Sequence, residues 1–200
     1  MLEKKKSGLL IVISSPSGAG KSTIAKKLVT TVSNIKLSVS LTTREPRLGE
    51  TQGKDYKFLN LDFFKKKIKQ SAFLEYAKVF NNFYGTLNSE ILKKLKKGNN
   101  ILLDIDWQGA RQIRKKLPND TLSIFILPPS LKELEKRLKK RKHTKDFVKN
   151  RMSKAKKEIM HWKEYDYIVV NDNLEKCIEK IKTILEINFC RPNRYLGLNF

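Results

Sequence analysis

Four short apolar runs interrupt an otherwise polar chain. They are rich in β-branched side chains and have the length of strands, and they lie at Leu9–Ile13, Ile101–Ile105, Leu122–Leu127 and Tyr167–Val170. Strands buried on both faces have this pattern, which is typical of a parallel sheet covered by helices. Apolar residues at helical spacing follow each run, as with Ile24 and Leu28 after the first. The pattern therefore predicts an α/β fold.

Two stretches break this alternation. Residues 38–97 contain strand candidates at Tyr56–Leu59 and Phe73–Phe80 and two helical patterns, which predicts an inserted α+β lobe at about 39–89. Residues 131–157 have a helical pattern, are dense in Lys and Arg and lack a long apolar stripe, which favours a mobile lid. We therefore expect a single domain, with its core at about 1–38, 90–130 and 158–188 and a loosely held tail at 189–200.

The charge of the chain raises the question of nucleic acid. Its 200 residues include 34 Lys but 9 Arg, and the formal net charge is +23. Nucleic-acid recognition relies on Arg, stacking aromatics and local patches, whereas these lysines are spread along the whole chain. We interpret most of the charge as solvated helix faces that also suit anionic small substrates. Nonspecific binding of nucleic acid stays open as an accessory property.

The sequence shows neither the apolar length of a membrane-spanning helix nor the cysteine content of a disulfide or zinc framework. No apolar run approaches the ~18 residues of a spanning helix, and Leu9–Ile13 is too short for the core of a signal peptide. Cys177 and Cys190 are too few for a disulfide framework or a zinc site. We expect a reducing, cytoplasmic setting and no membrane partner. The pattern leaves the oligomeric state open.

The strongest motif directly follows the first apolar run. It reads Ser15-Pro16-Ser17-Gly18-Ala19-Gly20-Lys21-Ser22 and opens a helix, which is the context of a Walker A loop. Backbone N–H groups and the helix N-terminus surround an anion there, Lys21 reaches the β- and γ-phosphates, and the Ser22 hydroxyl lies near Mg²⁺. Ser15 replaces the usual glycine and fits if its φ stays negative. The motif predicts a nucleoside triphosphate, while the second substrate must be inferred from other residues.

A second anion site is expected in the lobe. Arg44 and Arg47 lie three positions apart in a turn that Pro46 fixes, and Arg is the side chain for bidentate phosphate binding. The phenols of Tyr56 and Tyr84 add hydrogen-bond donors. These residues predict a pocket for a phosphate dianion, and a solvated loop is the alternative.

Three carboxylates are candidates for the second substrate. Glu75 lies in an apolar segment, so we expect it to have a donor partner. A carboxylate accepts from N1–H and N2–H₂ of guanine but is repelled by N1 of adenine, which would select guanine; an edge-strand glutamate is the alternative. Asp104 and Asp106 end a buried strand at its carboxyl edge, where ligands bind. One of the two would organise Mg²⁺ or a phosphate-binding arginine, and the other would contact the base. Capping of the next helix is the alternative for Asp106.

Five motifs together resemble one family. In order they are Ser-Pro-Ser-Gly-Ala-Gly-Lys-Ser, Ser-x-x-Thr-Thr-Arg-x-Pro-Arg-x-Gly-Glu, Asn-x-Tyr-Gly-Thr, Asp-Ile-Asp-Trp-Gln-Gly and Tyr-Asp-Tyr-Ile-Val-Val-Asn-Asp. From about Leu9 to Ile187 the chain resembles the guanylate kinases, P-loop enzymes that move a phosphoryl group from ATP to GMP. The resemblance implies a P-loop core, a GMP-binding lobe and a lid that close together, with Mg²⁺ as cofactor and GMP or dGMP as acceptor.

The resemblance also implies roles for single residues. The ATP side would comprise Ser15–Thr23, including Thr23 itself, with Asn171 near the adenine. The GMP phosphate would contact Arg44, Arg47, Tyr56 and Tyr84, and the guanine would contact Ser40, Glu75, Thr86 and Asp106. Asp104 would lie near the phosphates and the metal beside Ser22. The catalytic cations would be Lys21, Arg44, Arg137, Arg141 and Arg151.

One departure and two alternatives accompany the resemblance. Many relatives read Arg-x-Gly-Arg-Gly in the lid, whereas residues 137–143 contain no glycine. A kinase for another nucleoside monophosphate is the closest alternative. A non-catalytic scaffold domain of the same type is disfavoured, because such domains tend to lose the P-loop lysine and Lys21 is present.

Overall fold

The centre of the molecule is a parallel sheet of five strands. The computed structural model describes residues 7–140 and 144–191. The strand order is β2-β7-β1-β8-β9, and every neighbouring pair is parallel. These strands span β1 Leu10–Ser14, β2 Ile35–Leu37, β7 Asn100–Asp104, β8 Thr121–Leu127 and β9 Tyr167–Val170. The predicted α/β class is confirmed, and the phosphate loop follows the central strand.

Helices cover both faces of this sheet. Consecutive residues of β1 point to opposite faces, so Ile11 joins a core with Ile24 and Leu28, while Leu10 joins another with Ile91. Because both faces are buried, the strand reads as an unbroken apolar run. The helices of this layer are α1 Lys21–Thr31, α3 Asn88–Lys96, α4 Trp107–Lys116 and α7 Leu174–Phe189.

A second sheet lies in the segment predicted as an inserted lobe. Its order is β4-β3-β6-β5, with β3–β4 parallel and the other pairs antiparallel. Helix α2 packs on it through Phe64, whose ring stacks on that of Phe73 at 4.5 Å between centroids. The elements are β3 Leu41–Thr42, β4 Lys57–Phe58, α2 Leu61–Lys69, β5 Phe73–Val79 and β6 Asn82–Leu87.

Two helices form the segment predicted as a lid. They are α5, Leu131–Lys139, and α6, Lys145–Ile159, and a 3₁₀ turn leads from α6 back to β9. Although no long apolar stripe was visible in the sequence, the two helices share a small core of Leu134, Leu138, Val148 and Ala155. Leu134 and Leu138 also lie against Gly18 of the phosphate loop.

One sequence expectation about packing is wrong. Strand β9 was predicted to be buried on both faces, but Ile168 and Val170 are about 40% exposed because β9 is the edge of the sheet. Helix α7 continues to Phe189, the first residue of the predicted tail, and positions 192–200 of that tail lie outside the described residues. Within residues 7–140 and 144–191, no helix combines the length and the apolar character that crossing a membrane requires.

Candidate active site

The phosphate loop joins the end of β1 to the start of α1. Gly18 and Gly20 have φ of 95° and 99°, a region that glycine adopts at little cost. Ser15 is not among the residues with positive φ, as its replacement of glycine required. The loop backbone bends over the N-terminus of α1, whose unpaired N–H groups and dipole favour an anion. Ser15–Thr23, apart from the buried Ala19, line a cleft of about 260 Å³.

The lysine of the loop is held at the end of β7. Lys21 Nζ forms an ion pair with the Asp104 carboxylate and donates to the Ile105 carbonyl at 3.2 Å. Both side chains are about one fifth exposed and line the cleft. Because β7 is the parallel neighbour of β1, the sheet itself brings Asp104 beside the loop.

The opposite wall of the cleft is basic and phenolic. Arg47, Tyr56 and Tyr84 line it, and the Tyr56 and Tyr84 rings meet edge to face at 6.0 Å. Burial raises the pKa of the Tyr56 phenol, and the nearby Asp104 carboxylate adds to that effect, so the phenol is a hydrogen-bond donor.

Arg44 lies behind this wall in the fixed turn. One nitrogen of its guanidinium donates to both carboxylate oxygens of Glu50 at 2.8 Å, and the Arg47 amide also donates to Glu50 at 2.8 Å. Although partial burial opposes ionisation of Glu50, these hydrogen bonds lower its pKa. The motif that carries the two arginines thus ends in a carboxylate that binds the Arg44 guanidinium and the Arg47 backbone, a role the sequence analysis missed.

Three of the predicted base-reading residues form one hydrogen-bonded chain. The Ser40 and Thr86 hydroxyls are 3.2 Å apart, and Thr86 Oγ1 donates to Glu75 Oε1 at 2.6 Å. Glu75 is 3% exposed and therefore needs a donor partner, and Thr86 is that donor. Burial raises the pKa of Glu75 to about 7, and the negative charge of Asp106 acts in the same direction, while Thr86 opposes it.

A bulge in β5 aims Glu75 at the cleft. Phe73 pairs with Leu87 and Glu75 pairs with Thr86, so one extra residue, Leu74, stands between the two pairs. Such a bulge re-aims the side chains that follow it. Lys116 on α4 donates to the Leu74 carbonyl at 2.6 Å, which satisfies the backbone there.

Asp106 caps helix α4. Its Oδ1 accepts from the Gly109 amide at 3.0 Å, which confirms the capping alternative, and Oδ2 accepts from Gln108 at 2.9 Å. The carboxylate also lines the cleft. Gly109 lies so close to Glu75 that a Cβ at this position would collide with Glu75 Oε2.

The residues predicted for the lid and the ATP side do not all line the cleft. Asn171 is buried, and its Nδ2 donates to the Ala19 carbonyl at 2.7 Å, so this side chain braces the phosphate loop from behind. Arg137 donates to the Asn171 carbonyl at 3.0 Å and does not line the cleft. Arg151 lines the cleft, and Arg141 lies outside the described residues.

Two cleft residues with charged or aromatic side chains were not anticipated. Glu158, near the end of α6, accepts from the Ser17 amide at 3.2 Å, and burial raises the pKa of its carboxyl. Phe80, at the tip of the β5–β6 hairpin, has φ of 48° and places its ring 3.5 Å from the Arg151 guanidinium. Glu158 is one of two acidic residues in the lysine-rich α6, so its charge alone did not mark it as a site residue.

The donor set in the cleft suits magnesium that arrives with a nucleotide. Mg²⁺ takes oxygen ligands and is usually held by one or two carboxylates plus phosphates and waters. Ser22 and Asp104 supply a hydroxyl and a carboxylate beside the phosphate loop. Among the described residues, no three His, Cys, Asp or Glu side chains gather as a metal site, so a cage built from protein alone is absent there.

A phosphate loop faces a second wall, which is basic and phenolic, across one cleft, and this arrangement places the chain in the class of P-loop proteins. A sequence model described as guanylate kinase matches residues 7–188. The chain belongs to the guanylate kinase family.

Individual relatives are similar over most of their length. A guanylate kinase of Rickettsia prowazekii is 48% identical, with 90% of this chain and 92% of that protein covered. One of Maricaulis maris is 47% identical, covering 90% and 84%. The crystal structure of guanylate kinase from Anaplasma phagocytophilum is 37% identical, with a TM-score of 0.82 over 98% of this chain and 93% of that chain.

Proposed function

We propose that the protein transfers the γ-phosphoryl group of ATP to GMP, and to dGMP, giving ADP and GDP or dGDP. The observation that carries the proposal is the hydrogen-bonded chain of Ser40, Thr86 and Glu75, which faces the phosphate loop within one cleft. The buried carboxylate at the end of this chain accepts hydrogen bonds, which matches the N1–H and N2–H₂ edge of guanine and opposes the acceptor N1 of adenine.

The two walls supply the positioning that phosphoryl transfer needs. Lys21 and the loop amides bind the ATP phosphates, while Arg44, Arg47, Tyr56 and Tyr84 bind the GMP phosphate. Transfer between them requires in-line geometry and positive charge near the transferring oxygens. The acceptor is already anionic, so no general base is needed. Arg151 on the lid side adds charge at the cleft, and we assign the same role to Arg137 and Arg141 when the lid closes.

Magnesium completes the donor side of this proposal. Mg²⁺ bound to the ATP phosphates would neutralise charge that develops during transfer. Ser22 and Asp104 would hold it, and release of Asp104 from Lys21 would leave that lysine to the phosphates. We place the reaction in the cytoplasm, in purine nucleotide metabolism, with a core, a GMP-binding lobe and a lid as the moving parts.

A panel of nucleoside monophosphates tests the function. With ATP and Mg²⁺, coupled ADP production is measured for GMP, dGMP, AMP, CMP, UMP and dTMP. We expect kcat/KM for GMP to exceed that for AMP by at least about 10²-fold, because a buried acceptor left unpaired by the wrong base is unfavourable. Comparable use of AMP or a pyrimidine nucleotide would refute the guanine assignment.

A further inference from the structure

One residue of the phosphate loop is contacted by two side chains of α6. Arg151 Nη1 donates to Ser17 Oγ at 3.4 Å, and the Ser17 amide donates to Glu158 Oε2 at 3.2 Å. Arg151 and Glu158 are about two helical turns apart, so they lie on one face of α6. The helix is thus fastened to Ser17 by two contacts of opposite charge.

The same face of α6 reaches the lobe. The Arg151 guanidinium lies 3.5 Å and the Lys154 ammonium 3.7 Å from the centroid of the Phe80 ring. Cations over an aromatic face are attracted to it. Phe80 and Asn81 both have positive φ, as the two-residue hairpin between β5 and β6 requires. Arg151 therefore bridges the phosphate loop and the hairpin tip.

Glu158 lies where a negative charge is unfavourable for phosphate binding. A carboxylate that accepts from an amide of the phosphate loop opposes the binding of phosphate there, because like charges repel at short range. Glu158 lies at the last turn of α6, where the chain returns from the lid to the core. A hydrogen bond at this point fixes both the rotation of α6 and the direction in which Arg151 projects.

We propose that Glu158 is a positioning residue, which docks α6 on the Ser17 amide and so places Arg151 between the phosphate loop and Phe80. This inference rests on the proposed function, since the placed charge serves the transferring phosphoryl group. Catalysis by a fixed charge depends on its placement, and a displacement of about 1 Å lowers rates by about 10²-fold. Glu158 acts through Arg151 and not on substrate.

A double-mutant cycle tests the proposal. We expect Glu158→Ala to lower kcat for GMP phosphorylation by about 10- to 100-fold, with the KM values for ATP and GMP changed less than about threefold. Glu158→Gln keeps an acceptor oxygen and should recover kcat to within about fivefold of wild type. In an Arg151→Ala background, the further loss from Glu158→Ala should shrink below about threefold, because the two residues act as one unit.

Controls keep the outcomes separate. Glu135→Ala removes a lid carboxylate that pairs with Lys139 outside the cleft and should leave kcat unchanged. Glu158→Met keeps the side-chain length without the acceptor and replaces Glu158→Ala if circular dichroism shows that variant to be unfolded. Multiplicative losses in the cycle, or a lower ATP KM in Glu158→Ala, would overturn the proposal. A wild-type protein inactive on GMP would instead refute the proposed function itself.

Discussion

The buried carboxylate of Glu75 links guanine selection to stability. Its pKa of about 7 lies above the ordinary 4.5, chiefly because burial disfavours the charged form. Between these two values the unfolded chain is ionised while the folded protein keeps its proton. Stability from this group is therefore complete below pH 4.5 and is lost as pH rises to about 7. At about 1.4 kcal/mol per pH unit, the loss is on the order of 3 kcal/mol.

Replacing Glu75 with Gln removes this ionisation and keeps an oxygen that accepts from Thr86. We expect the free energy of unfolding of Glu75→Gln, relative to wild type, to increase from pH 4.5 to pH 8 by on the order of 3 kcal/mol. Relative to wild type, Glu75→Gln should lower kcat/KM for GMP about 10²-fold and leave the KM for ATP nearly constant. The variant would be more stable and less active at pH 8.

Urea unfolding at several pH values measures the first effect, and coupled ADP production measures the second. Glu90→Gln is the matched control, because Glu90 is about 40% exposed, pairs with Lys57 and should show little change with pH relative to wild type. A difference between Glu75→Gln and wild type that is flat from pH 4.5 to 8 would refute the buried, proton-holding carboxylate. Equal losses for GMP and ATP would make Glu75 a structural residue.

Three further substitutions test separate contacts. Gly109→Ala inserts a methyl group where Glu75 Oε2 lies, so the KM for GMP should rise at least about tenfold and the free energy of unfolding in urea should fall by about 1–3 kcal/mol. An unchanged KM would contradict the close approach. Asn171→Ala removes the donor to the Ala19 carbonyl and should destabilise by about 1–3 kcal/mol with weaker ATP binding by calorimetry; an unchanged free energy of unfolding would contradict the bracing role. Lys21→Ala should lower kcat by about 10²–10⁴-fold with an unchanged circular dichroism spectrum, and near-normal turnover would contradict the loop assignment.

The sheet and the phosphate loop were predictable because their signals are local. The run before Ser15 is apolar on both faces, and the glycines and lysine follow at fixed spacing, so strand, loop and helix are encoded within about 25 residues. Strand β3, Leu41–Thr42, was not predicted, because two residues carry no period and form a strand only by pairing with β6 and β4. The exposure of β9 likewise depends on its place in the strand order.

The site was predicted in part for the same reason. Glu75 was expected to need a donor, and Thr86 supplies it, but the bulge at Leu74 that brings them together arises from pairing of strands. Ser17 and Glu158 are 141 positions apart, so their contact has no sequence signature. Asn171 was predicted near the adenine, and its support of the loop backbone at Ala19 was not predicted, because that contact joins residues 152 positions apart.

The contact between Gly18 and the lid leucines has a mechanical consequence. A methyl group on Gly18 would press on Leu138 and Leu134, and its positive φ already excludes most side chains. Helix α5 therefore packs directly on the backbone of the phosphate loop, so a displacement of the loop at Gly18 would be transmitted to α5 through this apolar contact. A larger side chain at position 18 would hold α5 away from the loop.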